Sequence, residues 1–64
     1  MRIFIEKENK EINQAFRGSA KELLKRLKIN PENVLVVKNS ELITADEEID
    51  DNDHIKILSV VSGG

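Results

Sequence analysis

Met1, Ile3 and Ile5 alternate with Arg2, Phe4 and Glu6 at the start of the chain. That period-two pattern predicts a strand with one buried face. Glu8-Asn9-Lys10 is a polar turn signal, after which Glu11 to Phe16 can return as a second strand, and Gly18 ends it. Apolar positions then change period. Ala20, Leu23, Leu24 and Leu27 fall at i, i+3, i+4 and i+7, one stripe along a helix. Ser19-Ala20-Lys21-Glu22 has the form of a capping box, in which Ser19 and Glu22 satisfy each other's backbone amides. Lys21, Lys25, Arg26 and Lys28 lie off the stripe, with positive charge gathered toward the end that the helix dipole favours. Pro31 forbids continuation, so the helix is expected to end before Asn30.

The second half returns to strands. Val34 to Val37 is β-branched enough for a third strand, Asn39-Ser40 marks a tight turn, and Leu42-Ile43 forms a short fourth. Asp46 to Asp53 is an acidic loop, and its isolated Ile49 is expected to plug into the core. His54 to Val61 closes the chain as a strand, with Ile55 and Ile57 on one face and Lys56, Leu58 and Val60 on the other. The order β-β-α-β-β-β predicts an α+β domain in which one helix packs across a mixed sheet of four to five strands. A β-grasp arrangement fits it, with the first and last strands side by side at the sheet centre. Residues 1–64 are expected to form this single domain, with 62–64 as a flexible tail.

Composition narrows the function. The chain has 64 residues and no cysteine, so neither disulfides nor thiolate chemistry are available and packing must supply the stability. A formal charge of −2 and an aromatic content of 3% argue against a nucleic-acid surface, which needs positive charge and stacking platforms. The longest apolar run, Val34 to Val37, is far short of the roughly 18 residues of a membrane span. A cytoplasmic monomer is the expectation, without direct nucleic-acid or membrane contact.

Candidate chemistry is sparse. His54, the only histidine, has no nucleophile or pocket suggested beside it and reads as a surface residue at the start of the last strand. The stretch Asp46 to Asp53 lacks the central glycine and distal glutamate of a calcium-binding loop. It reads as a solvated loop, with docking to a basic surface as the alternative. Ser19 and Ser40 have structural roles as cap and turn, while Ser59 and Ser62 have no base beside them. Gly18, Gly63 and Gly64 are the only glycines, so no phosphate-cradling loop is present. No catalytic residue and no metal ligand is assigned.

The end of the chain stands apart. At glycine's average usage of about 7%, a terminal pair arises by chance in roughly one chain in two hundred. Glycines lack Cβ and make a thin thread that a narrow channel can accept, and the Gly64 carboxylate is a reactive handle once activated.

The strand order, the opening Met1-Arg2-Ile3-Phe4-Ile5 and the closing Val60-Val61-Ser62-Gly63-Gly64 resemble ubiquitin-like proteins. The chain is most similar to the prokaryotic sulfur carriers of the ThiS/MoaD family and to the small archaeal modifier proteins. Ser19 to Leu27 matches their helix, and Asn30-Pro31-Glu32-Asn33-Val34 matches the archaeal modifiers at the same place. Asp51-Asn52-Asp53-His54-Ile55 takes the position of their D-G-D-x-I. Asn52 stands where many relatives have glycine, and asparagine also tolerates a left-handed conformation. The chain is short for a molybdopterin-synthase small subunit and lacks the proline often seen near that group's end.

The resemblance implies that the chain is a carried substrate, not an enzyme. An E1-like adenylyltransferase using ATP and magnesium would adenylate Gly64, with Ser62 and Gly63 threading the tail into it. A sulfur donor, a persulfide enzyme or sulfide, would then convert the end to a thiocarboxylate. The acceptor would be a synthase of thiazole or molybdopterin, or a tRNA-thiolating enzyme. Target-protein lysines would take its place if the chain is instead a covalent modifier. A non-covalent binding module is the remaining alternative. In a β-grasp the sheet face away from the helix stays open, and Phe4, Leu58 and Val60 point there as a candidate docking patch. The sequence does not decide whether Leu35 and Val37 extend it.

Overall fold

The computed structural model describes residues 1–60. Strands β1 (Arg2–Ile5) and β2 (Lys10–Asn13) form the opening hairpin around a 3-10 turn at Glu6–Glu8. Then come β3 (Gly18–Ser19), α1 (Ala20–Arg26) and a second 3-10 turn at Pro31–Asn33. Strands β4 (Val34–Lys38), β5 (Glu41–Ile43), β6 (Glu48–Ile49) and β7 (His54–Ser59) complete the order. The main sheet runs β2-β1-β7-β4-β5, and β3 and β6 make a separate two-stranded sheet. Only β1 and β7 are parallel, and the remaining neighbours are antiparallel. This is the ubiquitin-like β-grasp, with the first and last strands adjacent as expected.

The core follows from strand alternation. Ile3 and Ile5 of β1 pair with Ile55 and Ile57 of β7, and Ile57 pairs in turn with Val36 of β4. All five are buried together with Ala20, Leu23 and Leu24 of the helix. A one-residue slip in register would turn every one of these strand residues to solvent, which is why the pairing is well determined. Ile49 joins the core at 2% exposure, as its isolation in the acidic stretch predicted. The surrounding residues are more than a loop, however: β6 pairs Ile49 with Gly18 and Glu48 with Ser19.

The second strand is shorter than its sequence suggests. Ile12 pairs with Ile3, but β2 ends at Asn13, and the buried Phe16 lies outside both sheets. The Phe16 N–H donates to Asp51 Oδ1 at 2.6 Å, a side-chain partner that no ladder pattern encodes. Gly18 does not merely interrupt a strand. It belongs to β3 with φ +151, and a Cβ there would stand 2.9 Å from Glu22 Oε1 and 3.2 Å from the Phe16 ring. The bare glycine gives Glu22 room to reach back. The capping box is present: Glu22 N–H donates to Ser19 Oγ at 3.2 Å, and Ser19 N–H donates to Glu22 Oε1 at 3.2 Å. Ala20 and Lys21 N–H donate to the Glu47 and Ala45 carbonyls, so the first amides of this seven-residue helix are all satisfied.

The helix ends before proline can act. Lys28 adopts a left-handed conformation with φ 61. Its N–H donates to the Lys25 carbonyl, and Ile29 N–H donates to the Leu24 carbonyl. Those two bonds are the Schellman closure, and Ile29 packs against the core as its apolar partner. A lysine pays a steric penalty at a position glycine occupies freely. Lys28→Gly is therefore expected to stabilise the fold by about 1 kcal/mol, read as a higher urea midpoint at unchanged slope. A lower midpoint would contradict this account of the helix end.

Asn39 and Ser40 both have positive φ, 50 and 72, as a two-residue hairpin loop between β4 and β5 requires. Asn52 is not among the described residues with positive φ. The position that glycine often fills in related sequences therefore needs no left-handed backbone here. Its N–H donates to Asp50 Oδ1 at 2.9 Å instead, an Asx-type turn.

Candidate functional site

Ser62, Gly63 and Gly64, the expected thread and reactive end, lie outside the described residues, as does Val61. The site is therefore built from what the fold presents around the point where β7 ends. Alternation along β7 buries Ile55 and Ile57 and sends His54, Lys56 and Leu58 to the face opposite the helix. Phe4 reaches the same face from β1, beside Lys56 in the parallel register. Phe4 and Leu58 are half-buried and border one shallow depression with Arg2, Glu11 and Lys56. Val60 follows in the same alternation and is 46% exposed.

The structure enlarges this apolar surface. Leu35 pairs with Leu58, Val37 with Lys56, and Leu42 with Val37, so all three share the open face with Phe4 and Leu58. Leu35 is 43% and Leu42 62% exposed, while Val36, facing the other way, is buried. Leu42 was not anticipated from the sequence. Its signal was pairing, since a two-residue turn at Asn39-Ser40 places Leu42 opposite Val37. Phe4, Leu58, Leu35, Val37 and Leu42 make an apolar surface with Lys56 set among them, between Phe4 and Val37, and apolar side chains grouped this way on a surface mark protein contact sites.

Two hydrogen bonds donated by backbone amides hold the end of β7. Ser59 N–H donates to Glu6 Oε1 at 3.0 Å, and Val60 N–H donates to the Asn33 carbonyl at 3.0 Å. Each acceptor comes from a 3-10 turn beside a strand that flanks β7. Sequence reasoning missed Glu6, which alternation simply assigned to the solvent side of the first strand.

The acidic stretch is spent on structure. Asp53 accepts from the Asp50 N–H at 2.8 Å and from Asn39 Nδ2 at 2.9 Å. These bonds, the Asp50 amide first, hold its carboxyl below its ordinary 3.8, with Lys38 adding attraction. Asn39 Oδ1 also accepts from the His54 N–H at 2.9 Å, so this loop fixes where β7 begins. Asp51 serves Phe16, as described. Lys38 Nζ donates to the Glu48 carbonyl at 3.1 Å and pairs with Glu47 at 3.4 Å. His54 is exposed, as its sequence position predicted. Among the described residues, no three ligand-type side chains converge on a metal position, and no helix is long and apolar enough to cross a membrane.

Comparison with known proteins bears on this geometry at three levels. The ThiS family pattern matches residues 3–64. A curated relative, the sulfur carrier protein TtuB of Thermus thermophilus, is 37% identical over 57 residues, covering 89% of this chain and 88% of its own. Among solved structures, the solution structure of a thiamine biosynthesis protein from Geobacter metallireducens superposes with a TM-score of 0.62 at 26% identity. That alignment covers 100% of this chain and 88% of the other. With its β-grasp sheet, the one α-helix among its described residues and a family match that runs on from Ile3 through the diglycine, the chain belongs to the ThiS family.

Proposed function

We propose that this chain is a ubiquitin-like sulfur carrier, loaded at the carboxylate of Gly64 by partner enzymes. The observation that carries the reading is the ThiS family match, which extends to residue 64 and so includes both terminal glycines. The relative from Thermus thermophilus is itself a sulfur carrier protein by name, which supports the same class.

The chemistry follows from what a carboxylate lacks. It is a poor acyl donor because its leaving group would be oxide or hydroxide. An E1-like adenylyltransferase removes that obstacle. A Gly64 carboxylate oxygen bonds to the α-phosphorus of magnesium-bound ATP as the bond to pyrophosphate breaks. The terminal sulfur of a persulfide then attacks the acyl carbon and AMP departs. A thiol cleaves the resulting acyl disulfide, leaving the C-terminal thiocarboxylate and a new disulfide. Sulfide gives the same product directly. The loaded carrier donates sulfur to an acceptor synthase, of thiazole or molybdopterin type, or to a tRNA-thiolating enzyme. The chain supplies no catalytic group. It supplies a recognisable surface and an end, and ATP and magnesium belong to the partner.

The open sheet face is the docking surface in this scheme. Phe4, Leu58 and Val60 form its side nearest the end of β7, and Leu35 and Leu42 continue it across β4 and β5. Leu35→Glu places a charge in the middle of this patch at a position already partly in water. It is expected to raise KM for the activating enzyme by about tenfold or more with kcat preserved. An unchanged KM would remove the patch from the docking surface.

The function is tested by ATP–pyrophosphate exchange in a mixture of the chain, a cognate E1-like enzyme and MgATP. Exchange that depends on the chain supports the reading, and exchange indifferent to it counts against it. The same acyl-adenylate is open to a lysine amine, so Gly-Gly remnants of this chain on cellular proteins would identify a covalent modifier instead.

A further inference from the structure

The parallel pairing of β1 with β7 stops at Ile5↔Ile57, because the chain turns into the 3-10 segment Glu6–Glu8. A straight continuation of β1 would have offered the next β7 amide a backbone carbonyl. The Glu6 carboxylate takes that place, accepting from the Ser59 N–H at 3.0 Å across 53 residues of sequence. The backbone of Glu6 is itself held, because Asn9 closes the turn in a left-handed conformation and its N–H donates to the Glu6 carbonyl at 3.0 Å. On the opposite flank, the Asn33 carbonyl accepts from Val60 N–H at 3.0 Å. The Asn30–Asn33 turn fixes that carbonyl, with Pro31 in its first position and Asn33 N–H donating to the Asn30 carbonyl. The final described residues of β7 are thus gripped from both sides by two unrelated turns.

We infer that Glu6 is a positioning residue: its bond to Ser59 sets the point and direction from which the C-terminal segment leaves the domain. The inference rests on the proposed loading of Gly64. Gly64 lies four residues beyond Val60, a span of at most about 14 Å when fully extended. A carboxylate on so short a tether reaches a partner's nucleotide only when the root of the tether is fixed relative to the docking face. Without the Glu6 carboxylate, the Ser59 N–H has no acceptor on the β1 side, and the strand end is held only from the β4 side, by its pairing with Val34 and the Asn33 carbonyl. The partner must then order more backbone before the reaction can begin, and loose placement of a reacting group is costly in rate.

The role makes a pattern that a general loss of stability does not. Glu6→Ala lowers kcat for adenylation by about tenfold or more while KM stays near the wild-type value. Glu6→Gln keeps an acceptor oxygen at the same reach and restores kcat. Amide hydrogen exchange reads the same bond without any enzyme: Ser59 N–H is protected in the wild-type chain and in Glu6→Gln, and exposed in Glu6→Ala, while Ile57 stays protected in all three. Equal Ser59 protection in wild type and Glu6→Ala would overturn the inference. So would a wild-type kcat in Glu6→Ala. If Glu6→Gln behaves like Glu6→Ala, and in KM rather than kcat, then the glutamate is a charge contact for the partner and the positioning role is wrong. A wild-type chain that is never adenylated, despite a protected Ser59, sinks the proposed function first and the positioning role with it.

Discussion

If Gly64 is the loaded residue, as proposed, deleting it is expected to abolish adenylation and sulfur loading while leaving the fold intact. The deletion still leaves a terminal carboxylate, on Gly63, so the effect is geometric. Removing one residue withdraws the reacting group by about 3.5 Å along an extended chain. A misplacement of even about 1 Å can cost a hundredfold in rate, so the shortened chain falls by at least that factor and in practice below detection. Stability is expected to change little, because the described core and sheet pairings run from Arg2 to Ser59. The check is pyrophosphate release alongside thermal unfolding of the same samples. A shortened chain that reacts at the full rate would show that the end is not the site.

Ile57→Ala, in contrast, removes stability without changing any residue of the C-terminal end. Ile57 lies at the middle of the sheet, paired with Ile5 on one side and Val36 on the other, and is 1% exposed. Truncating such a residue costs about 2–5 kcal/mol, through lost burial and the cavity left behind. The usual stability per residue gives a chain of this length only about 3–10 kcal/mol in total. The variant is therefore expected to be substantially unfolded near physiological temperature. Leu42→Ala is the matched control: at 62% exposure, its change should stay within about 0.5 kcal/mol. Chemical denaturation of both variants measures the contrast. A loss below about 1 kcal/mol for Ile57→Ala would contradict the packing described for the central strands.

The elements visible in the sequence were those set by local pattern. Ile3, Ile5, Ile55 and Ile57 announce their strands by alternation, and the Ser19–Glu22 box with the leucine stripe announces the helix. Their docking follows from the need to bury one face of each. Most of what escaped was set by contacts between distant residues. Strand β2 ends at Asn13, and the Phe16 amide beyond it finds its partner in Asp51, 35 residues away. The short β3–β6 pairing depends on a glycine and an acidic stretch meeting in space. The helix stop is the subtlest case. Pro31 was the visible signal, but the Schellman bonds at Lys28 and Ile29 end the helix earlier, with a residue whose type gives no warning.

The proposed docking surface divides along the same line. Phe4, Leu58 and Val60 are legible as the outward half of two alternating strands. Leu35 was ambiguous because Val34 to Val37 is apolar on both sides, and only the pairing with Leu58 resolves it. Leu42 needed the hairpin register. Glu6 is invisible to pattern altogether, since an exposed glutamate after a strand is ordinary until its carboxylate is found on the Ser59 amide. The diglycine was read from the sequence directly, and its meaning came from family likeness, because no periodicity distinguishes a working end from an idle one.

The central claim is that Gly64 carries sulfur. Incubating the chain with a cognate E1-like enzyme, MgATP and a persulfide or sulfide source, then measuring its intact mass, tests this most directly. The account predicts a mass gain equal to exchange of one oxygen for one sulfur, located by fragmentation at the C-terminal glycine and dependent on ATP. An unchanged mass after complete turnover of the enzyme's competent substrate, or a sulfur found anywhere but Gly64, would contradict it.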